Sequence, residues 1–238
     1  MISQLSDLIW PPRSLLSEEF VDRPGVIEAE LWGELKFLGQ PLCRCCGFPL
    51  PDHAVEGDAC AACAADPPAY DTARAALAYD DHARKLVLDL KRGGRRDGLP
   101  VFARWMASAG AQALERADFL TPVPMHWTRL AVRSFNQAAW LTQALARASG
   151  KAWKPAALVR VKRRKSQAGL SASERRRNVG GAIKASGRFA GKVAVVVDDV
   201  FTTGATLEAC ARALRKAGAA EVHAVTLARV VRPTDILI

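Results

Sequence analysis

The stretch that decides the fold is Val195-Val-Val-Asp-Asp-Val-Phe-Thr-Thr-Gly-Ala-Thr-Leu207. It lies in an apolar run that begins after Lys192 and is typical of a buried parallel strand, and it leads through a polar turn into a helical pattern that ends at Gly218. A second apolar run at 221–228 completes a strand–loop–helix–strand unit. A right-handed crossover places the loop at the carboxyl edge of the sheet, where open α/β folds bind ligands. The sequence therefore predicts an α/β fold with a ligand site at residues 198–206.

This loop combines two kinds of binding chemistry. Its two acids, Asp198 and Asp199, suit sugar hydroxyls and a divalent metal. Backbone N–H groups, hydroxyls and a glycine at the start of the helix predict a phosphate cup. The residues of the cup are Thr202, Thr203, Gly204, Ala205 and Thr206. A sugar phosphate meets both demands, and the alternative is a capped helix after a strand whose acids are merely exposed.

Five of the six cysteines lie between positions 43 and 63. Cys43 and Cys46 form one CxxC pair and Cys60 and Cys63 form another, which is close to zinc-ribbon spacing. Two such knuckles can complete a tetrahedron around a structural Zn²⁺. A redox CxxC and disulfides are the alternatives, although redox motifs do not usually come in pairs. Cys45 is the spare thiol of the cluster, and Cys210 falls on the apolar face of a helix.

Charge is unevenly distributed along the 238 residues, whose formal net charge is +10. Residues 1–70 hold 4 Lys and Arg against 11 Asp and Glu, so the basic excess lies in the rest of the chain. That excess favours a polyanionic partner, either a phosphorylated metabolite or nucleic acid. No apolar run is long enough for a membrane helix, and residues 1–10 lack the basic start of a signal peptide. We expect a cytoplasmic protein without membrane insertion.

Proline and glycine punctuation divides the chain into three parts. We expect a helical extension at 1–40, a zinc-finger module at 41–67 and a main α/β domain at 68–238. Residues 160–177, with eight Lys and Arg, are expected to form a mobile loop or a hairpin. Apolar periodicity predicts strands at 72–79 and from 119 towards Pro124, and helices at 28–38, 82–91, 99–116 and 136–149.

The loop at 195–207 closely resembles the phosphoribosyl-pyrophosphate (PRPP) loop of type I phosphoribosyltransferases. Over about residues 40–230 the chain resembles the ComF family of competence-related proteins, which join a four-cysteine zinc finger to a phosphoribosyltransferase domain. Besides the cysteines, the matching segments are Thr121-Pro-Val-Pro124, Arg133-Ser-Phe-Asn-Gln137, Gln167-Ala-Gly-Leu170 and Glu174-Arg-Arg-Arg-Asn178-Val179. Ser134 departs from the glycine that is usual in the second of these. The resemblance implies a phosphoribosyltransferase-like parallel sheet flanked by helices, with a small zinc-ribbon-like module.

The resemblance also implies a role for each part of the site. Asp198 and Asp199 would hold the ribose hydroxyls and, with PRPP, Mg²⁺, and residues 202–206 would hold the 5-phosphate. A flexible loop from Gln167 would close over the reacting centre, because departing pyrophosphate develops charge that Mg²⁺ and a basic lid can neutralise. The implied pyrophosphate and flexible-loop residues are Pro122, Val123, Pro124, Arg133, Asn136, Gln137, Gln167 and Arg175.

Two functions follow as alternatives. In the first, the protein transfers a phosphoribosyl group from PRPP to an acceptor nitrogen. In the second, it is a non-catalytic factor that binds single-stranded DNA or proteins of the competence machinery during DNA uptake or transformation. The basic clusters at 91–96 and 160–165 could contact nucleic-acid phosphates or could simply be solvated.

Overall fold

A five-stranded parallel sheet forms the centre of the molecule. The computed structural model describes residues 11–17, 19–91, 95–125, 135–161 and 182–231. The strand order in the sheet is β1-β7-β6-β2-β3, and every pairing in it is parallel. A separate antiparallel pair, β4 with β5, flanks residues 162–181. The strands are β1 (Thr72–Ala78), β2 (Phe119–Pro122), β3 (Ala152–Trp153), β4 (Leu158–Arg160), β5 (Ile183–Ala185), β6 (Val193–Phe201) and β7 (Glu221–Arg229).

Helices cover the sheet and connect its strands. They are α1 (Ala29–Glu34), α2 (Ala61–Ala65), α3 (Asp81–Lys91), α4 (Leu99–Ala109), α5 (Ala111–Arg116), α6 (Gln137–Ser149) and α7 (Ala205–Lys216). The parallel α/β fold and the strand–loop–helix–strand unit predicted from the sequence are confirmed. Within the described ranges, no helix has both the length and the apolar character needed to cross a bilayer.

Three predicted boundaries were wrong. The helix predicted at 28–38 ends at Glu34, because the next residues pair with the edge of β1, where the Leu38 N–H donates to the Ala76 carbonyl. The helix predicted at 99–116 is two helices separated at Gly110, where an added Cβ would lie 2.6 Å from Val225. The strand predicted to end at Asp198 continues to Phe201, because its ladder with β7 continues to Arg229.

The two faces of the sheet pack into two hydrophobic clusters. On one face, buried side chains of β6 meet α3, α4 and α6, for example Leu86, Phe102 and Leu141. On the other face, β6 and β7 meet α7 and the cysteine-containing segment in one continuous cluster that includes Phe48 and Leu207. The module predicted at residues 41–67, called the cysteine module below, therefore shares a hydrophobic core with the main domain. The division at residues 40 and 67 remains a prediction.

Candidate functional site

The predicted site forms one continuous piece of structure at the carboxyl end of β6. Asp198 and Asp199 lie in the second half of that strand, and α7 begins only four residues after the strand ends. Gly204 precedes α7 with φ +74°, a left-handed conformation that favours glycine, and its carbonyl accepts the Glu208 N–H. Thr202 and Thr203 are exposed, whereas Gly204 is buried. The loop therefore exposes hydroxyl groups beside a helix start, which is the arrangement required of a phosphate cup.

Asp199 is the more constrained of the two acids. Its side chain is 8% exposed, and its Oδ2 accepts a hydrogen bond from Gln137 Nε2 at 2.8 Å. The Lys91 ammonium lies 3.2 Å from the same oxygen. Gln137 Oε1 is buried and has no hydrogen-bond partner among the residues that the structure describes. Asp199 is thus held by donors from α6 and α3, and the amide that holds it has a spare acceptor.

Asp198 has a different environment. Burial, followed by the neighbouring Asp199 carboxylate, raises the pKa of Asp198 to about 8. Its Oδ1 accepts the backbone N–H of Asp199 at 2.9 Å. Burial raises the pKa of the Cys210 thiol, and the Asp198 charge adds to that shift. Asp198 is therefore harder to ionise than an ordinary aspartate, whereas Asp199 faces an ammonium group and an amide donor.

The proline-containing segment after β2 lies directly beside the acids. β2 pairs with β6 so that Pro122 is opposite Val197, and the Val123 N–H donates to the Val197 carbonyl. Asn136 joins this segment to α6: its Oδ1 accepts the Ala138 N–H and its Nδ2 donates to the Val123 carbonyl. The structure therefore places Pro122, Val123, Pro124, Asn136 and Gln137 around the end of β6. Arg133, Gln167 and Arg175 lie outside the described residues.

Lys91 is the functional candidate that sequence reasoning assigned to a different role. As the first residue of a basic cluster at 91–96, it was expected to be solvated or to contact nucleic acid. It is the last residue of α3, its side chain is 28% exposed, and its ammonium group is directed at Asp199. No local pattern reveals this contact, because the two residues lie in distant parts of the chain.

The four cysteines of the two CxxC pairs form a second site. The sulfurs of Cys43, Cys46, Cys60 and Cys63 all lie within 4.8 Å of one another, and all four residues are buried. The Sγ atoms of Cys46 and Cys60 are 3.7 Å apart. A tetrahedral Zn²⁺ with bonds of about 2.3 Å requires sulfurs about 3.8 Å apart, so this donor set fits zinc. Cys45 is only partly buried and is not part of the cluster.

Two arginines supply positive charge beside these thiols. Arg74 Nη1 donates to the Cys43 carbonyl at 3.4 Å and to the Arg44 carbonyl at 3.2 Å. Arg229 Nη1 donates to the Cys46 carbonyl. Both guanidinium groups therefore lie where they can offset the negative charge of metal-bound thiolates.

The parallel sheet, the acid pair and the helix-start loop define a phosphoribosyltransferase-type domain. A family model described as "Phosphoribosyl transferase domain" matches residues 137–235. The chain belongs to the ComF family, whose relatives here are DNA utilization protein YhgH and competence protein F. It is 32% identical to YhgH of Salmonella typhimurium over 193 residues, which covers 79% of this chain and 84% of that protein. It is 36% identical to competence protein F of Haemophilus influenzae over 119 residues, 49% of this chain and 52% of that protein.

Solved structures of phosphoribosyltransferases are also similar to this chain. The purine phosphoribosyltransferase from Pyrococcus horikoshii is 21% identical with a TM-score of 0.35, and the similarity covers 55% of this chain and 73% of that one. The glutamine PRPP amidotransferase from B. subtilis is 24% identical with a TM-score of 0.37, covering 58% of this chain and 30% of that one. The resemblance to the ComF family that the sequence motifs indicate is confirmed by the YhgH relatives.

Proposed function

We propose that this protein binds PRPP with Mg²⁺ at residues 198–206 and transfers its phosphoribosyl group to an acceptor nitrogen. One observation supports this most directly: two acids and a helix-start loop of threonines and glycine follow each other along β6 and into α7. In the reaction the bond from ribose C1 to the pyrophosphate oxygen breaks and a bond from C1 to the acceptor nitrogen forms. Pyrophosphate leaves with the bonding electrons, and the acceptor nitrogen releases its proton.

Each part of the site has a defined task in this proposal. The N–H groups and hydroxyls of residues 202–206 bind the 5-phosphate, since a helix N-terminus favours an anion. Asp198 and Asp199 accept hydrogen bonds from the ribose diol, and their oxygens suit the ligand set of a hard cation. When bound, Mg²⁺ would neutralise negative charge on the pyrophosphate.

The pyrophosphate lies beside Pro122, Val123 and Pro124 in the same proposal. Asn136 fixes that segment through the Val123 carbonyl, so its position relative to the acids is set before ligand binds. Arg133 is proposed to add a cation near the pyrophosphate, and Gln167 and Arg175 are proposed to belong to the flexible loop at 167–177 that closes over the ligand. Lys91 is added to this set because it already supplies a cation to the acid pair.

Calorimetry with PRPP and Mg²⁺ tests the proposal. Replacing Asp198 and Asp199 together with alanine removes one or more charge-assisted hydrogen bonds of about 1.5–3 kcal/mol each, so the affinity for PRPP should fall more than about tenfold. Asp118→Asn is the matched control, because Asp118 accepts the Val193 N–H at the other end of the same strand. Equal PRPP affinity in the double variant and the wild type would refute the assignment.

A second candidate function comes from the relatives. Six of them are named DNA utilization protein YhgH, and another is named competence protein F. We propose, as the alternative, a non-catalytic factor that binds single-stranded DNA or competence-machinery proteins. Binding of PRPP without its consumption over a panel of purine, pyrimidine and pyridine bases would favour this alternative over phosphoribosyl transfer.

A further inference from the structure

Arg229, the last residue of β7, connects the cysteine module to the sheet. It is only 5% exposed, and its Nη1 donates to the carbonyl of Cys46, one of the four clustered cysteines. Its guanidinium lies 5.1 Å from the ring centre of Phe48 in the module and 4.5 Å from that of Phe201 at the end of β6. Its buried Nε has no hydrogen-bond partner within the described ranges. One cation is therefore shared between a candidate metal ligand and an aromatic ring next to the phosphate cup.

Phe201 forms the wall of the cup on this side. A Cβ added to Gly204 would lie 2.9 Å from Cζ of the Phe201 ring and 3.6 Å from the Tyr70 hydroxyl. The Tyr70 and Phe201 rings meet edge to face with centres 6.5 Å apart. Any displacement of the Phe201 ring therefore changes the space available to the backbone of the loop at Gly204.

A second connection runs beside the first. The Ala69 N–H, in the segment that leaves the module, donates to Glu208 Oε2 in the first turn of α7 at 2.8 Å. A cavity of about 490 Å³ is lined by Arg229 and Glu208, by three of the clustered cysteines and by residues 202–205. The module and the cup thus line one cavity and are joined by two contacts.

The position of the Cys46 carbonyl explains why Arg229 would depend on a bound metal. Cys46 is one of the four clustered cysteines, so a Zn²⁺ bound by their sulfurs would fix the backbone around it. Arg229 Nη1 donates to the Cys46 carbonyl, and loss of the metal would release that backbone. A buried guanidinium that loses a hydrogen-bond acceptor is unfavourable, so Arg229 would leave its place between Phe48 and Phe201.

We propose that Arg229 is a positioning residue that couples metal binding at the four cysteines to the order of the phosphate-binding loop at 202–206. The loop is held in its binding conformation when the metal is present and loosens when the metal is lost. This inference rests on the proposed function only where a phosphoribosyl ligand is used. By linkage, a ligand in the cup must then strengthen metal retention by the same factor by which the metal strengthens ligand binding.

Hydrogen exchange of the full zinc-loaded chain tests the coupling without any ligand. The readout is the exchange rate of amides in residues 201–209, which include the Glu208 N–H bonded to Gly204. Arg229→Met, with zinc still bound by native mass spectrometry, should speed this exchange at least about fivefold while β1 and α6 keep their protection. Arg74→Met is the matched control, because Arg74 donates to the Cys43 carbonyl but does not contact the cup; its exchange at 201–209 should match the wild type.

A second variant keeps the test decisive if Arg229→Met fails to hold zinc. Phe201→Leu leaves the bond from Arg229 to the Cys46 carbonyl in place but removes the ring that contacts Gly204. It should retain zinc and show the same faster exchange at 201–209. Unchanged exchange in a zinc-loaded Phe201→Leu variant, or in wild type after the metal is removed, would overturn the coupling.

The effect of a ligand on metal binding is tested by measuring zinc release into a chelator with and without PRPP and Mg²⁺. PRPP should slow release from the wild type and from Arg74→Met, and should have no effect on Arg229→Met. Equal protection by PRPP in all three proteins would contradict a role for Arg229. If PRPP does not bind the wild type in calorimetry, the proposed function fails, and the exchange measurement still decides the coupling.

Discussion

The Lys91 ammonium lies 3.2 Å from Oδ2 of Asp199, and Gln137 Nε2 approaches the same oxygen at 2.8 Å. This contact joins the end of α3 and the start of α6 to the acid-bearing end of β6. Because Asp199 is almost fully buried, its charge depends on these two donors rather than on water. These two contacts thus hold one acid of the site in a defined position.

Replacing Lys91 with methionine should destabilise the protein. The buried Asp199 carboxylate would lose its only ion-pair partner in the described part of the chain, and we expect the free energy of unfolding to fall by about 1–3 kcal/mol. Urea unfolding followed by circular dichroism measures this. Lys85→Met is the control, since the ion pair of Lys85 with Asp89 on the same helix is only partly buried, so its loss should lower the free energy of unfolding by about 0.5 kcal/mol or less. Equal effects of the two variants would contradict a special role for Lys91.

The raised pKa of Asp198 predicts a pH dependence of stability. Between its ordinary pKa of 3.8 and its folded pKa of about 8, the folded state keeps a proton that the unfolded chain has released. The wild type should therefore lose stability through this residue as pH rises across that window. Asp198→Asn removes the titration, so its stability relative to wild type should increase steadily from about pH 5 to about pH 8 in urea unfolding.

Asp199→Asn provides the contrast to that variant. It removes the negative charge that Lys91 and Gln137 hold, and it should destabilise the protein at every pH in the same window. If both asparagine variants shift stability in the same direction at pH 8, the two acids do not have the separate environments that the structure shows.

Gly204→Ala should lower the free energy of unfolding by more than Gly150→Ala does. Gly204 and Gly150 both have left-handed φ angles, +74° and +65°, so alanine costs about 1–2 kcal/mol at either position. Only at Gly204 would the new Cβ also lie 2.9 Å from the Phe201 ring, whereas nothing lies within 4 Å at Gly150. We expect an additional loss of about 1 kcal/mol or more and a weaker PRPP affinity for Gly204→Ala alone. Thermal unfolding and calorimetry on both variants measure these effects.

The cysteine cluster should bind one zinc ion per chain. Native mass spectrometry of protein purified without chelator should show this metal, and replacing Cys43 and Cys60 together with alanine should abolish it, because two ligands cannot hold the ion in a closed site. Cys45→Ala is the matched control and should retain zinc, since Cys45 lies outside the cluster. Metal that persists in the double variant would show that other residues bind it.

Any DNA binding should be weak, non-specific and strongly dependent on salt. Each phosphate contact contributes a slope of about −0.7 in log affinity against log salt for single strands. Replacing Arg163, Arg164 and Lys165 with alanine should flatten this slope in titrations of labelled single-stranded DNA, and PRPP should compete if both anions use the same basic segment. Sequence-specific binding that ignores salt would contradict the electrostatic explanation.

Local sequence patterns determined the central unit of this fold and the main parts of the site. The apolar run of β6, the Thr and Gly residues before α7 and the paired CxxC spacing are each contained within a few consecutive residues. Their chemistry follows from periodicity and spacing alone, and the helix predicted from residue 136 begins at Gln137. The resemblance to the ComF family rests on these segments together with the short motifs at 121–124, 133–137, 167–170 and 174–179, whereas the strand order is known only from the structure.

Only the tertiary structure decided which side chains meet the acids and the cup. Lys91 belongs to a surface-like basic cluster in sequence, yet it is paired with Asp199; Arg229 ends an apolar strand, yet it lies between the cysteine module and Phe201. The residues after α1 pair with β1 instead of continuing the helix. Each of these contacts joins segments that are distant in sequence and are brought together by the packing of the helices and the cysteine module on the sheet. The residue pattern within one segment does not determine which charged group or strand edge of another segment it will contact.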